Sequence, residues 1–237
     1  MSAMQLLQTL ERVRRKTVAS EEPILSKIGR VAGAQEPECT QMYMRIPSTA
    51  GAQIIERTRF FGAPELRSRE VRLCKRANDW GASKTIADFF GVISRLGDGV
   101  FWYVLMLAIA LFGGAKGIFV ALQMVLTGLV AAAMYRTLKR WTRRPRPFRT
   151  HRDIVPLVLP LDEFSFPSGH TLHAVTFTVI ALAWFPLLAP LLIPFALLVA
   201  ASRVVLGLHY PSDVLAATLI GCGLATTSLW IASLIRF

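Results

Sequence analysis

The chain has 237 residues, a length that fits one or two domains, and 53% of them are hydrophobic, which excludes an ordinary soluble domain. Its formal net charge of +12 is typical of a protein that binds nucleic acid, a membrane surface or a phosphorylated substrate. We expect no nucleic-acid partner, because the sequence has no zinc-finger, homeodomain or RNA-binding signature. Cys39, Cys74 and Cys222 are scattered and odd in number, so they indicate no disulfide framework.

Residues 1–83 are predicted to be a basic extension made of short helices that prolines separate. The first 98 residues carry 16 of the 27 Lys and Arg residues. Residues 1–20 have the apolar spacing of an amphipathic helix, with a basic cluster at its end and no apolar core of a signal peptide. Such a helix lies either on anionic lipid headgroups or against its own domain, and the sequence favours neither alternative. The extension contains no catalytic constellation.

Residues 84–237 are predicted to be a membrane-embedded core, so the expected fold class is an all-α integral membrane bundle. A transmembrane helix needs about 20 mostly apolar residues, and about five segments approach that length. The first segment is the least well defined, because Asp98 stands just before its apolar run. The predicted spans are residues 100–112, 118–138, 168–185, 191–206 and 214–235.

Three short polar clusters interrupt these apolar segments. The first follows the second span, the next opens the third span, and the last joins the fourth span to the fifth. If the spans alternate in direction, all three clusters lie at one membrane face. Basic loop ends that only anchor helices would not need the histidines and the aspartate. The clusters contain Lys139, Arg146 and Pro147; Pro167, Ser168, Gly169 and His170; and Ser202, Arg203, His209 and Asp213.

The cations and the helix start among these residues suit a phosphate group. Lys139 offers a point charge, whereas Arg146 and Arg203 offer planar forks that bind two oxygens at once. A helix that begins at Ser168 and Gly169 directs N–H groups and the positive end of its dipole at an anion. Ser168 is equally suited to cap that helix, which is the structural alternative for this residue.

The imidazoles and the carboxylate suit an attack on phosphorus. His209 and Asp213 are four residues apart around a helix start. The carboxylate can then hold one ring nitrogen and leave the other ring nitrogen to act as nucleophile. His170 can protonate the leaving oxygen and later activate water.

A metal site is the chemical alternative for the same histidines. His173 follows His170 by one helical turn, and with His209 and Asp213 it gives three imidazoles and a carboxylate. The neighbouring Arg203 would repel a metal ion, so we favour a packing role for His173.

Other charged residues near the clusters suggest simpler roles. Arg143, Arg144 and Arg149 are expected to anchor the helix end, with contact to lipid headgroups as the alternative. Asp162 and Glu163 are expected to pair with the surplus cations near the entrance of the site.

The full pattern of the clusters resembles a known family. Residues 139–147 read K-x6-R-P, residues 167–170 read P-S-G-H, and residues 202–213 read S-R-x5-H-x3-D. This pattern resembles the type 2 phosphatidic acid phosphatase superfamily, which includes the vanadium haloperoxidases, and it covers residues 97–237. The resemblance implies a helical, metal-independent phosphatase without a cofactor. It implies that His209 becomes phosphohistidine, that Asp213 orients it and that His170 is the general acid and base. The implied phosphate cradle is Lys139, Arg146, Ser168, Gly169 and Arg203.

The resemblance also implies a lipid substrate. Membrane members act on phosphatidate, phosphatidylglycerophosphate, sphingoid phosphates, lipid A phosphates or polyprenyl phosphates and pyrophosphates. We therefore expect hydrolysis of a phosphomonoester or pyrophosphate on a lipid. The alternatives are a metal-dependent membrane hydrolase and a non-catalytic membrane protein that binds phospholipid, through the basic extension, without hydrolysing it.

Membrane members usually have six spans, and here the basic extension stands in place of the first span. The side that carries the site would hold 25 of the 27 Lys and Arg residues. The positive-inside rule then predicts a site on the cytoplasmic face of a bacterial inner membrane. The alternative is the periplasmic face, where most bacterial relatives have their site.

Overall fold

The computed structural model describes residues 64–160 and 162–235, so the predicted helix of residues 1–20 lies outside the described residues. The described residues form an all-α structure, which confirms the predicted fold class. Their α-helices are α1 (Pro64–Gly81), α2 (Lys84–Arg95), α3 (Phe101–Phe112), α4 (Gly114–Thr142), α5 (Pro147–Thr150), α6 (Gly169–Trp184), α7 (Ala189–Val205) and α8 (Pro211–Ile235).

Four helical segments of the described residues are long and apolar enough to cross a membrane: Lys84–Phe112, α4, Pro186–Val205 and α8. The remaining predicted span is α6, which has 16 residues. At 1.5 Å per residue α6 is about 24 Å long, which is less than the thickness of a hydrocarbon core. It packs against α8, α4 and α7. The bundle therefore combines four long helices with a shorter helix packed among three of them.

The first span begins at Lys84, which is earlier than the sequence predicts. A π-helical turn, Leu96–Val100, joins α2 to α3, and Gly99 bends the chain there with a φ of 147° that favours glycine. Asp88, Arg95 and Asp98 interrupt the apolar run, so hydropathy alone does not reveal α2. The helix forms because its apolar side, which includes Phe90, packs against α7.

Helix α1 is the described part of the basic extension, and it packs against α7, α8 and α2. Gly81 allows this approach, since a Cβ atom there would lie 2.6 Å from Cγ1 of Val205. Another side of α1, about a quarter turn from Cys74, exposes Leu66, Leu73 and Trp80 at intervals of seven residues. This apolar stripe agrees with the expectation that the extension lies at a membrane surface, which stays a prediction.

Two loops meet at one end of the bundle. The loop of residues 143–168 joins α4 to α6, and the loop of residues 206–210 joins α7 to α8. The N–H of Leu157 donates to the carbonyl of Leu206 at 3.2 Å, and the N–H of Ser168 donates to the carbonyl of Asp213 at 3.3 Å. The structure thus places the three polar clusters at the same end of the bundle.

Candidate active site

His209 and Asp213 are buried side by side where the second loop enters α8. Their side chains are 1% and 0% exposed, and Nδ1 of His209 lies 3.6 Å from Oδ2 of Asp213. This separation is longer than a hydrogen bond. The same carboxylate oxygen accepts a hydrogen bond from the N–H of Tyr210 at 2.9 Å. Among the described residues Nδ1 of His209 has no hydrogen-bond partner, so the expected imidazole–carboxylate pair is in place but not closed.

The second ring nitrogen of His209 faces cations. Nε2 lies 3.4 Å from Nη1 of Arg146. Burial, with the charges of Arg146, Arg203 and Lys139, holds the pKa of His209 well below its usual 6.5. The imidazole is therefore neutral at neutral pH, which is the form that has a lone pair for nucleophilic attack.

Lys139 and Arg146 hold a carboxylate between them. Nζ of Lys139 lies 2.5 Å from Oδ2 of Asp162, and Nη2 of Arg146 lies 2.7 Å from Oδ1. Burial disfavours the charge of Asp162, but the two cations prevail and lower its pKa below the usual value. The expectation that Asp162 pairs with surplus cations is wrong, because its partners are two residues of the predicted phosphate cradle. Glu163 does pair with such a cation, Arg149, at 3.2 Å.

Arg203 and His170 are both held by the first span. Nη1 of Arg203 donates to Oγ of Ser94 on α2, and its Nε has no hydrogen-bond partner among the described residues. Nε2 of His170 lies 3.3 Å from Oδ1 of Asp98. The sequence patterns gave no role to Ser94 or Asp98. Asp98 stands next to a glycine at the bend of a membrane span, and a charge in that setting is the signal that points to it.

Ser168 begins α6 as a helix cap. Its Oγ accepts from the N–H of Thr171 at 3.4 Å and lies 3.0 Å from Oγ1 of the same residue. Ser168 therefore caps the helix, which is the structural role expected as the alternative to phosphate binding. Gly169 follows it in the first turn, where helix N–H groups have no partner within the helix. Anion binding by the N–H groups in the first turn of α6 stays a prediction.

Arg144 lies inside the site, so both roles expected for it, helix anchor and headgroup contact, are wrong. Its side chain is 4% exposed, and its Nη1 donates to Oδ1 of Asp213 at 2.6 Å. Its Nη2 lies 2.9 Å from Oε2 of Glu70 on α1, and its guanidinium lies 4.1 Å from the centre of the Tyr210 ring. A run of basic residues at 139–149 hides this residue, because nothing in the sequence distinguishes Arg144 from Arg143.

His173 packs between α6 and α4. Its Nδ1 lies 2.9 Å from the carbonyl oxygen of Gly169, and its Nε2 lies 3.3 Å from that of Gly128. The ring also contacts Phe177 and Tyr135. Within residues 64–160 and 162–235, no group of three or more His, Cys, Asp and Glu side chains could hold a metal ion.

Comparison with known proteins gives a family and several relatives. The family model of the PAP2 superfamily matches residues 99–236. Phosphatidylglycerophosphatase B of Escherichia coli (strain K12) is 39% identical over 74 residues, which are 29% of this chain and 29% of that protein. Undecaprenyl-diphosphatase BcrC of Bacillus subtilis is 31% identical over 51% of this chain and 62% of its own length. The undecaprenyl-diphosphatase of Sulfolobus acidocaldarius is 29% identical over 69% of this chain and 78% of its own length. The match thus spans less than a third of the phosphatidylglycerophosphatase B relative.

Two solved structures share the fold. One is the transmembrane PAP2-type phosphatidylglycerolphosphate phosphatase of Bacillus subtilis, with a TM-score of 0.62 and 26% identity over 78% of this chain and 96% of that chain. The other is LpxE of Aquifex aeolicus, with a TM-score of 0.57 and 26% identity over 67% of this chain and 93% of that chain. Both matches cover two thirds or more of this chain.

Acidification is expected to destabilise the folded protein through His209. In the unfolded chain this imidazole titrates near its usual pKa of about 6.5, whereas burial keeps it neutral in the folded protein. As the pH falls through about 6.5, only the unfolded chain takes up this proton, so the loss of stability grows by at most about 1.4 kcal/mol per pH unit. Thermal unfolding in detergent at pH 7.5 and at pH 5.5 measures this loss of stability.

The variant His209→Asn supplies the control for this effect. It should unfold with a smaller difference between the two pH values than the wild type. Part of the difference should remain, because burial and Arg67 also lower the pKa of His151. An unchanged pH dependence in His209→Asn would show that His209 is not buried as a neutral imidazole.

Proposed function

Because the chain belongs to the PAP2 superfamily, we propose that it is an integral membrane phosphatase that cleaves phosphate from a lipid without a metal ion. The observation that carries the proposal is His209, a buried and neutral imidazole whose Nε2 lies 3.4 Å from Arg146. A buried nucleophile among cations at the end of an apolar bundle suits a phosphate head on an apolar tail. The names of the relatives support this substrate class.

The proposed reaction has two steps. In the first step Nε2 of His209 attacks phosphorus, the P–N bond forms and the P–O bond to the lipid breaks. His170 donates a proton to the leaving oxygen, which gives the lipid alcohol or, from a pyrophosphate, the lipid monophosphate. In the second step His170 takes a proton from water, the water oxygen attacks phosphorus, and the P–N bond breaks to release phosphate. His209 then returns to its neutral form.

Asp213 supports the cation that forms on His209. A carboxylate beside Nδ1 stabilises the charged imidazole and keeps the proton on that nitrogen. The separation of 3.6 Å requires a small closure of the pair when substrate binds. Such closure is common, since catalytic hydrogen bonds are often long before the substrate is present.

The cations are proposed to hold the phosphate where Asp162 now lies. Lys139 and Arg146 share a single carboxylate, whereas a phosphate brings about two charges and three acceptor oxygens. The substrate would displace Asp162, whose side chain is 40% exposed and lies on the loop of residues 143–168. Arg203, Ser168 and the N–H of Gly169 would complete the cradle, and such donors stabilise charge that develops on the phosphate oxygens.

The substrate tail is proposed to stay in the bilayer while the head enters from the side. Large apolar side chains are exposed along the spans, and they leave the outer surface of the bundle suited to lipid. Examples are Leu107, Leu111, Leu122, Leu126, Leu215 and Leu219. Phosphatidate, phosphatidylglycerophosphate, a polyprenyl phosphate and a polyprenyl pyrophosphate form the substrate panel, because the relatives include phosphatidylglycerophosphatase and undecaprenyl-diphosphatase.

Phosphate release in detergent with EDTA present tests the reaction and its rivals. The wild type should release phosphate from at least one lipid of the panel, vanadate should inhibit it, and His209→Ala should abolish it. His151→Ala is the matched control, since it removes a loop histidine outside the site and should retain the activity. Loss of release on adding EDTA would favour the metal-dependent hydrolase. Lipid binding without release, unaffected by His209→Ala, would favour the non-catalytic binder.

We also propose that the site faces the cytoplasm of a bacterial cell, because the topology predicted from the sequence assigns 25 of the 27 Lys and Arg residues to its side. Single cysteines can be introduced at Glu163, whose side chain is 63% exposed beside the site, and at Leu187, which is 93% exposed at the opposite end. A maleimide that does not cross membranes should label intact spheroplasts at position 187 and not at position 163. The reverse labelling would place the site on the periplasmic face.

A further inference from the structure

Helix α1 lies outside residues 99–236, which the family model matches, yet one side of it contacts both loops of the site. Glu70, Cys74 and Asn78 are four residues apart, so they lie along one face of the helix. We propose that α1 clamps the two loops and that Glu70 is a positioning residue, which acts on Asp213 and His209 through Arg144. The proposal rests on the proposed phosphatase function and adds a residue that the motifs do not contain.

Glu70 binds the start of α8 and Arg144 with the same carboxylate. Its Oε1 accepts from the N–H of Ser212 at 2.9 Å and from the hydroxyl of Ser212. Its Oε2 lies 2.9 Å from Nη2 of Arg144. A carboxylate at a helix N-terminus satisfies an N–H without a partner and favours the positive end of the dipole. Glu70 therefore sets the position of the turn that carries Asp213.

Arg144 connects Glu70 to the carboxylate of Asp213. Its Nη1 donates to Oδ1 of Asp213 at 2.6 Å and to Oγ of Ser212 at 2.7 Å. The Glu70, Arg144 and Asp213 side chains are 11%, 4% and 0% exposed, so their charges interact with little screening by water. Glu70 and Asp213 share the charge of Arg144, so loss of the Glu70 charge would strengthen the pairing of Arg144 with Asp213. Asp213 would then be a weaker partner for Nδ1 of His209.

Cys74 and Asn78 hold the loop main chain next to this contact. Sγ of Cys74 lies 3.8 Å from the carbonyl oxygen of His209. Nδ2 of Asn78 donates to the carbonyls of Val155 and Val205 at 2.8 and 3.2 Å, and its Oδ1 accepts from the N–H of Val155 at 2.9 Å. The same face of α1 thus touches the loop of residues 143–168, the end of α7 and His209 itself.

The clamp should affect the chemical step more than substrate binding. Glu70 contacts neither Lys139 nor Arg146, so its loss leaves the cations of the phosphate cradle in place. Loss of Glu70 should change the separation between the side chains of Asp213 and His209. A displacement of about 1 Å in a reacting pair can lower a rate about 100-fold. The expected signature is a lower kcat with an unchanged KM.

Steady-state kinetics on the best lipid of the panel test the role of Glu70. Glu70→Gln should lower kcat by about 10-fold to 100-fold and leave KM within about twofold. Glu65→Gln, the same substitution at an exposed position of α1, should leave kcat, KM and the thermal midpoint unchanged. The double variant Glu70→Gln with Arg144→Met should lose less activity than the product of the two single losses, because part of the effect of Glu70 passes through Arg144.

The outcomes separate the clamp from the function on which it rests. Glu70→Gln with wild-type kcat, or a double variant whose loss is the product of the two single losses, would overturn the proposal. A wild type that releases no phosphate from any lipid would overturn the proposed function instead. In that case alkylation of Cys74, in a background with Cys39 and Cys222 replaced by Ala, decides whether the clamp exists.

Cys74 reports on the clamp without any need for activity. Its side chain is 0% exposed, and burial together with Glu70 and Asp213 raises the pKa of its thiol to about 12. It should resist alkylation in the wild type and in Glu65→Gln. In Glu70→Gln it should react at least about tenfold faster, since a hidden group reacts through local opening. Equal rates in the three proteins would show that Glu70 does not hold α1 against the loops.

Discussion

The buried Asp213 contacts both loops of the site and the start of α6. The side chain accepts hydrogen bonds from Arg144 and from the N–H of Tyr210, and it faces His209 at 3.6 Å. Its carbonyl accepts from the N–H of Ser168, which begins α6. A carboxylate without exposure to water needs such partners to remain charged, and the partners of this carboxylate come from both loops. Asp213 therefore links the two loops to each other.

The need of a buried charge for polar partners also accounts for the contacts of the other charged residues at this end of the bundle. The cations of the site are buried at the end of an apolar bundle, so each needs a polar partner. Lys139 and Arg146 share Asp162, and Arg203 has Ser94. Cations and burial together keep His209 neutral. An arrangement that concentrates positive charge around a neutral imidazole suits an anionic substrate, and the proposed exchange of Asp162 for a phosphate of about two charges would neutralise more of this positive charge.

Much of the fold and the place of the site follow from the sequence. Long apolar segments predict the spans, and their alternation brings Lys139, His170 and His209 to one end. The polar residues stand out there because the background is apolar. Glu70 and Arg144 were missed, because their roles arise from contacts 74 and 69 residues apart along the chain. Local patterns do not encode such contacts, and α1 carries no motif. Hydropathy also misses α2, whose polar side hides the start of the first span.

The measurement that tests the central claim most directly is the capture of the phosphoenzyme. The wild type is mixed with a lipid radiolabelled in its terminal phosphate and quenched in alkali, in which a phosphorus–nitrogen bond to histidine survives. The account predicts a labelled protein that loses its label in acid, and no label in His209→Ala. Phosphate release by the wild type without any labelled protein, or a label that persists in His209→Ala, would contradict the proposed nucleophile.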